Sequence, residues 1–266
     1  MSTSNYIENI NASAKAKQET MEKFKELSEE AWQLYLLHVS IDCVVFGFHD
    51  FTLKVLLLKG LHDDSWALPG GYIGNEEDID DSAIRTLKER TGAENIYLEQ
   101  FRAFGSPNRS EHYFSEFPDT LWHKQRFVTI GYYALVDYTL VLPKPDSISS
   151  SCEWKDIENL PSLIMDHKYI IDQALTTLRM QLSHKPIGYS LLPDKFTMPE
   201  LQKLYEIILG KKLNRGNFYR KMMGYDILDK LDESRKSGGA HKSPNLYRFN
   251  KEKYENALSN GLKESW

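Results

Sequence analysis

The apolar positions of this chain change rhythm several times, and each change marks an element. Met21, Phe24, Leu27, Ala31 and Trp32 recur at three- and four-residue steps with Lys and Glu between them, which predicts an amphipathic helix over 14–37. The polar stretch 1–13 before it reads as a flexible tail. Two runs rich in aliphatic and β-branched residues, 39–46 and 53–58, flank a turn near His49 and Asp50 and predict a pair of strands. Ala67-Leu-Pro-Gly-Gly71 leads into a helix with Asp80 or Asp81 as its cap, Ala83, Ile84 and Leu87 as its apolar face and Gly92 at its end. Strands are predicted over 96–104 and 127–136. The polar and aromatic stretch 105–124 between them is long for a loop, a length usually tied to function or mobility. Glu153-Trp154 and Leu160-Pro161 then lead into a helix from about His167 to Ser183.

The pattern starts afresh after a linker, 185–192, that contains Pro186 and Gly188. Pro199 to Leu209 predicts a helix with a stripe of Leu201, Leu204, Tyr205 and Ile208, and Gly210 ends it. Asn214 suits the N-cap of a second helix, 215–223. A strand over 227–232, a basic glycine-rich loop over 234–244 and a strand over 245–249 complete a helix–turn–helix–hairpin order, the winged-helix pattern. The organisation is therefore a tail and helix (1–37), an α+β domain (38–184), a winged-helix domain (185–250) and a C-terminal tail (251–266).

Composition narrows this picture. The 266 residues are 41% hydrophobic, enough for a buried core. The two cysteines, Cys43 and Cys152, form no C-x-x-C pair, which argues against a disulfide framework and a thiolate zinc site. No run approaches the length of a membrane span, and the first residues lack the apolar core of a secretory signal, so a cytoplasmic location with no membrane partner is expected. The net charge of −5 hides a division. Residues 1–184 carry 17 Lys/Arg against 28 Asp/Glu, whereas residues 185–250 carry 13 against 7. A basic module behind an acidic body points to nucleic acid as the partner of the second module.

The stretch Gly71 to Ala93 carries the most specific spacing. Gly71, Glu77, Arg85, Leu87, Glu89, Gly92 and Ala93 stand at the offsets of G-x5-E-x7-R-E-U-x-E-E-x-G-U, preceded by Leu68-Pro-Gly-Gly71. On these residues, positions 39–183 resemble the Nudix family. The resemblance implies a diphosphate hydrolase's magnesium site, built from acids at positions 86, 89 and 90. Here Thr86 and Arg90 replace two of those acids, one helical turn apart on the same face. A cation about 4 Å from a unit positive charge at an effective dielectric near 20 is opposed by roughly 4 kcal/mol, and a divalent ion by about twice that. Glu77 and Glu89 remain, and magnesium is expected only if those two suffice; no metal or cofactor is otherwise called for. Read without the box, Glu77 belongs to an acidic helix approach favoured by the dipole, and Gly70 and Gly71 serve backbone geometry.

Taken whole, residues 35–250 resemble the Nudix-related transcriptional regulators. The matching stretches are 39–48, Phe104-Gly105, 131–135, 186–193, Phe196-Thr197, 201–206 and 217–221. The resemblance implies a Nudix-like α/β/α sandwich that senses ADP-ribose-type metabolites, or in one branch pentose sugars such as arabinose, joined to a winged helix that acts on double-stranded DNA as a homodimer on paired half-sites. It places Trp66, Gly70, Gly71, Arg85, Glu89, Arg90, Arg102 and Arg126 as candidate ligand residues, with Asn108, Arg109 and Tyr132 near the same cleft. Arginines there suit phosphate and aromatics suit a base or sugar face. Asp166-His167 either caps the following helix or reaches the ligand. Arg215, Asn217, Arg220 and Lys221 are the candidate DNA contacts of the recognition helix, and Arg235, Lys236, His241 and Lys242 those of the wing. The leading expectation is a regulator that responds to a sugar or nucleotide-sugar effector and does not hydrolyse it. The alternative is a Nudix hydrolase of a nucleoside diphosphate derivative.

Overall fold

The computed structural model describes residues 3–61, 65–91, 96–145, 148–182, 185, 188–234 and 244–260. Its elements are α1 (Thr3–Leu34), β1 (Tyr35–His49), β2 (Thr52–Gly60), β3 (Trp66–Ala67), β4 (Gly70–Gly74), α2 (Ile79–Thr91), β5 (Tyr97–Phe104), β6 (Val128–Val136), β7 (Ser149–Asp156), α3 (His167–Gln181), β8 (Phe196–Thr197), α4 (Met198–Leu209), α5 (Arg215–Gly224), β9 (Leu228–Ser234), β10 (Asn245–Phe249) and α6 (Lys251–Asn260).

Strand periodicity explains the layering. β1 lies at the middle of a seven-stranded sheet, parallel to β6 and antiparallel to β2 and β4. Successive side chains point to opposite faces. Ile41, Cys43 and Val45 go to one face, with Ala83 and Leu87 of α2; Val44 and Phe46 go to the other, with Ile170, Ala174 and Leu178 of α3. A run that is apolar on both faces is what a doubly covered strand requires. The result is an α/β/α sandwich, and the core on its α3 face continues into Leu201, Leu204 and Ile208 of α4.

The second module is the winged helix expected from the sequence. β8, β10 and β9 form its three-stranded sheet. Thr197 and Glu200 form a reciprocal capping box at the start of α4, and Gly210 ends that helix in the left-handed conformation at φ 66°. Asn214 caps α5 by accepting from the Asn217 amide at 3.0 Å.

Several elements differ from expectation. The helix begins at Thr3 and ends at Leu34, so 1–13 is not a tail throughout and 35–37 belong to β1. Asp78, rather than Asp80 or Asp81, caps α2, its carboxylate accepting from the Asp80 amide at 3.0 Å. Ile84 is exposed, and Ser82, Ala83, Thr86 and Leu87 make the buried face of α2. β4 and β7 were not expected; the first reads as a glycine turn and the second as a serine-rich polar stretch, yet each is paired along its length with a longer neighbour. The 251–266 tail contains α6, whose Tyr254 and Ala257 are buried. The 105–124 stretch is a series of turns with a buried interior. Phe114, Leu121 and Trp122 are buried; Phe24 of α1 meets Phe114, Phe117 and His123 edge-on, and Ser28 Oγ accepts from the Trp122 amide. Among the described residues, no helix is long and apolar enough to cross a membrane.

Candidate functional site

The glycines of the box are there for close approach. A Cβ on Gly71 would stand 2.5 Å from Thr86 Oγ1, and one on Gly70 would stand 2.9 Å from both Asp42 Oδ1 and the Ile41 carbonyl. Side chains at these two positions would push α2 or β1 off the loop, so the pair presents backbone rather than side chain.

The charges of the box are turned on one another. Arg85 donates to both Glu77 oxygens at 2.8 and 2.9 Å, and to the Tyr72 carbonyl at 2.9 Å. Glu77 also accepts from the Gly74 amide at 3.1 Å. The Arg85 hydrogen bonds, against a modest opposing effect of burial, hold the Glu77 carboxyl down at about 2. Glu89 is exposed on α2, 3.4 Å from Arg85 Nη1. Thr86 is buried at 1% exposure with its hydroxyl against Gly71. Arg90 donates to the Gly70 carbonyl at 3.3 Å. Magnesium takes near-octahedral hard oxygens. Glu77 has both oxygens engaged by Arg85, Glu89 lies 3.4 Å from the same guanidinium, and the Arg90 cation bonds the Gly70 carbonyl. This donor set does not fit magnesium. No group of three or more His, Cys, Asp or Glu side chains among the described residues is placed to hold a metal ion.

The open chemistry lies on the other side of Gly70. Asp42 pairs with Gly70 across β1 and β4, and its carboxylate accepts from Arg109 Nη2 at 3.2 Å. Arg109 also donates to Asp166 at 2.6 and 3.0 Å. Asp166 precedes α3 but makes no side-chain cap; its carboxylate holds Arg109 instead. His167 Nδ1 accepts from the Leu68 amide at 2.9 Å, which ties α3 to the box loop. Burial pushes the His167 pKa down despite the nearby Asp42, so the ring is neutral with its proton on Nε2, facing Asp42 at 3.8 Å. The Arg109 side chain is 3% exposed, binds two acids through Nε and Nη2, and itself lines the adjoining cleft.

Beside this cluster opens a cleft of about 810 Å³, lined by Asn108, Glu111, His112, Tyr113, Asp166 and Tyr169 among others. Its volume is that of a small-molecule site. Two of its wall residues, Asn108 and Met165, hold positive φ of 60° and 48°, which is strained for a side-chain-bearing residue, Met165 above all. Tyr113 and Tyr169 present exposed ring area. Arg102 lies at the rim, over the Tyr169 ring and bonded to Gln173 at 2.7 Å, and Arg126 bonds the Gly105 carbonyl at 3.2 Å beside Ser106.

The expected ligand residues thus divide. Arg102, Asn108, Arg109 and Arg126 gather at or beside the cleft. Gly70 adjoins Asp42, whereas Gly71 packs against Thr86 of α2, and neither lines the cleft. Arg85, Glu89 and Arg90 belong to the α2 side and are engaged there. Trp66 is buried at 7% exposure with the Lys155 ammonium 4.0 Å over its ring, so it cannot stack on a ligand. Tyr132 is buried under α2, its hydroxyl on Asp80. Asp42 went unnoticed; its only signal is a lone acid inside an apolar strand. Glu111, His112, Tyr113 and Tyr169 carried no signal beyond their place in or near a long loop.

On the second module, α5 buries Phe218 and Met222 and exposes Arg215, Asn217, Arg220 and Lys221. Arg220 donates to Asn217 Oδ1 at 2.6 Å, which orients both side chains. Lys211 and Lys212 in the preceding turn and Tyr219 on α5 extend this exposed surface and were not anticipated. The expected wing contacts Arg235, Lys236, His241 and Lys242 lie outside the described residues.

A Nudix-type sandwich with a helix–turn–helix module behind it defines a sensor joined to a DNA-reading domain, and comparison with known proteins agrees. The NUDIX domain model matches residues 36–174 and the NrtR DNA-binding winged helix domain model matches residues 188–249. The chain is 30% identical over 224 residues to the ADPR responsive transcriptional repressor NtrR of Acinetobacter baylyi, covering 82% of this chain and 84% of the relative. The crystal structure of Shewanella oneidensis NrtR complexed with a 27mer DNA superposes with a TM-score of 0.66 at 28% identity, over 82% of this chain and 95% of that one. The chain is also 26% identical over 140 residues to the ADP-ribose pyrophosphatase of Methanocaldococcus jannaschii, covering 52% of this chain and 75% of that protein. The chain belongs to the Nudix-related transcriptional regulators of the NrtR type.

Proposed function

We propose that the chain is a DNA-binding repressor whose affinity for its operator is set by an ADP-ribose-like metabolite, and that it does not hydrolyse that metabolite. The observation that carries the second half is Arg90, whose guanidinium bonds the Gly70 carbonyl and puts a cation on the helix face where the box resemblance implies an acid. The relatives supply the rest: one is an ADPR responsive repressor, and another was crystallised on DNA.

The cleft suits the sugar end of such a ligand. Arg109 is neutralised by two carboxylates, so the inner wall carries net negative charge and accepts hydrogen bonds from hydroxyls through Asp166 and Glu111. Tyr113 and Tyr169 offer faces for a ribose or base. Phosphates are met at the rim by Arg102 and Arg126. On DNA, Arg215, Asn217 and Arg220 read base edges and Lys221, with Lys211 and Lys212, meets phosphate. Two copies are expected on paired half-sites.

Two assays test this together. Fluorescence anisotropy with DNA from upstream of the chain's own gene, titrated with ADP-ribose, is expected to show release. Incubation of ADP-ribose with magnesium is expected to show no turnover above a no-protein control. Turnover that disappears in Glu89→Gln would establish the hydrolase reading instead, and tight DNA binding indifferent to ADP-ribose and to free pentoses would remove the sensor reading.

A further inference from the structure

β5 and α3 both leave the cleft and meet again at one carboxylate near the DNA-binding module. At the cleft end, Phe104 of β5 packs edge-on against Tyr169 of α3 at 5.8 Å, and Arg102 bonds Gln173. At the far end, Glu99 of β5 accepts from Lys185 Nζ at 3.0 and 3.1 Å and from the Tyr133 hydroxyl at 3.0 Å. The Tyr97 hydroxyl and the Gln181 amide complete its shell. Burial would raise this carboxyl, yet the bonds from Tyr97, Lys185 and Tyr133 hold it below the usual range. A half-buried acid with every lone pair engaged by four residues of three different segments is a fixed point of geometry.

Lys185 stands where the chain passes between modules. Its amide donates to the Gln181 carbonyl at 2.7 Å, and the winged-helix match begins at residue 188. Gly188 has φ of 138°, and a Cβ there would lie 3.2 Å from the Phe249 ring and 3.3 Å from Leu201. The joint is thus a glycine seated on the winged helix, preceded by a lysine held by the sensor sheet. Apart from the shared apolar core, Arg179 Nε on the Ile208 carbonyl at 2.6 Å ties α3 to α4.

We propose that Glu99, acting through Lys185, is the positioning residue that fixes how the winged helix is presented to DNA, and that an occupied cleft changes DNA affinity through this tie. The inference rests on the reading of the cleft as the effector site and of α5 as the DNA helix. Coupled sites in proteins commonly change each other's affinity by about 5- to 150-fold. The full chain is titrated with its operator DNA with and without ADP-ribose. Wild type is expected to show a ratio in that range. Glu99→Gln, which keeps shape and loses charge, and Lys185→Met are each expected to bring the ratio close to one, and the double variant to do no more than either single. A merely structural contact would lower the melting temperature and leave the ratio intact.

A second readout stands apart from the effector. Dipolar distances between spin labels on Cys152 and on Lys211→Cys are expected to be narrow in wild type and broadened in both variants. Distributions unchanged in width, or an ADP-ribose ratio kept at the wild-type value in both variants, would overturn the tie. A wild type blind to ADP-ribose removes the functional reading, and the label distances still decide the tie. Should Glu99→Gln fold poorly, Lys185→Met, which changes a part-exposed side chain, decides alone.

Discussion

The two faces of the sensor sheet use the same kinds of charged residue to opposite ends. Under α2, Glu77, Arg85, Glu89 and Arg90 are engaged with one another or with the backbone, and a buried threonine fills the place of an acid. At the start of α3, Arg109 is equally committed, but Asp166 and the tyrosines beside it keep edges open to an 810 Å³ cleft. The charges of the box thus hold one another and the loop that carries them, with Arg85 on Glu77 and the Tyr72 carbonyl and Arg90 on the Gly70 carbonyl. What sets the α3 face apart is polar atoms and tyrosine rings that border open space.

The comparison is most exposed at Arg109. Arg109→Met leaves Asp42 buried without its cation, and breaking such a pair costs about 3–5 kcal/mol. Urea unfolding should show a free energy of unfolding lower by that amount, read as a lower midpoint at unchanged slope, and a variant as stable as wild type would mean that the pair is not the keystone of this face. Next is Arg215→Ala with Arg220→Ala, each good base contact being worth about 1–3 kcal/mol. Operator affinity should fall at least about 30-fold, with ADP-ribose binding by calorimetry unchanged. The faces are contrasted directly by Tyr169→Ala against Glu89→Gln. Loss of a stacking face worth about 1 kcal/mol should weaken ADP-ribose roughly fivefold, while the α2 substitution leaves it alone; the reverse order would move the site to the box.

The smallest effect is on pH. The Glu77 carboxyl is depressed to about 2 by Arg85, so its ion pair contributes stability that is complete above the ordinary carboxylate range and is lost as pH falls toward about 2. For a partly exposed pair this is about 1 kcal/mol. Thermal melts of wild type and Glu77→Gln should differ at pH 7 and converge at low pH. A constant gap would mean that the charge is not what binds the loop.

The sequence made the framework readable and the cleft hard to see, for physical reasons. The box, the two sheet strands and the capped helices α4 and α5 announce themselves through spacing, periodicity and caps, all local properties. The cluster at the cleft is not local: Arg109 reaches Asp42 across 67 positions and Asp166 across 57. Nothing near Asp42 distinguishes it from a stray polar residue in a strand, and Asp166 looks like an ordinary helix cap. β7 escaped because a serine-rich strand acquires its form from β2 rather than from its own residues. Trp66 misled because a tryptophan beside a glycine loop suits stacking as well as it suits a core.

The docking of α1 on the 105–124 segment bears on how the sensor can be handled. Phe24, Ser28 and Ala31 cover Phe114, Trp122 and Phe127, and the same segment opens into the cleft at 106–113. Trimming the chain to the Nudix match at residue 36 would strip that cover, leaving a sticky aromatic surface and one wall of the cleft without backing. A shortened sensor that precipitates, or that binds its metabolite weakly, would then report a missing helix rather than a missing function.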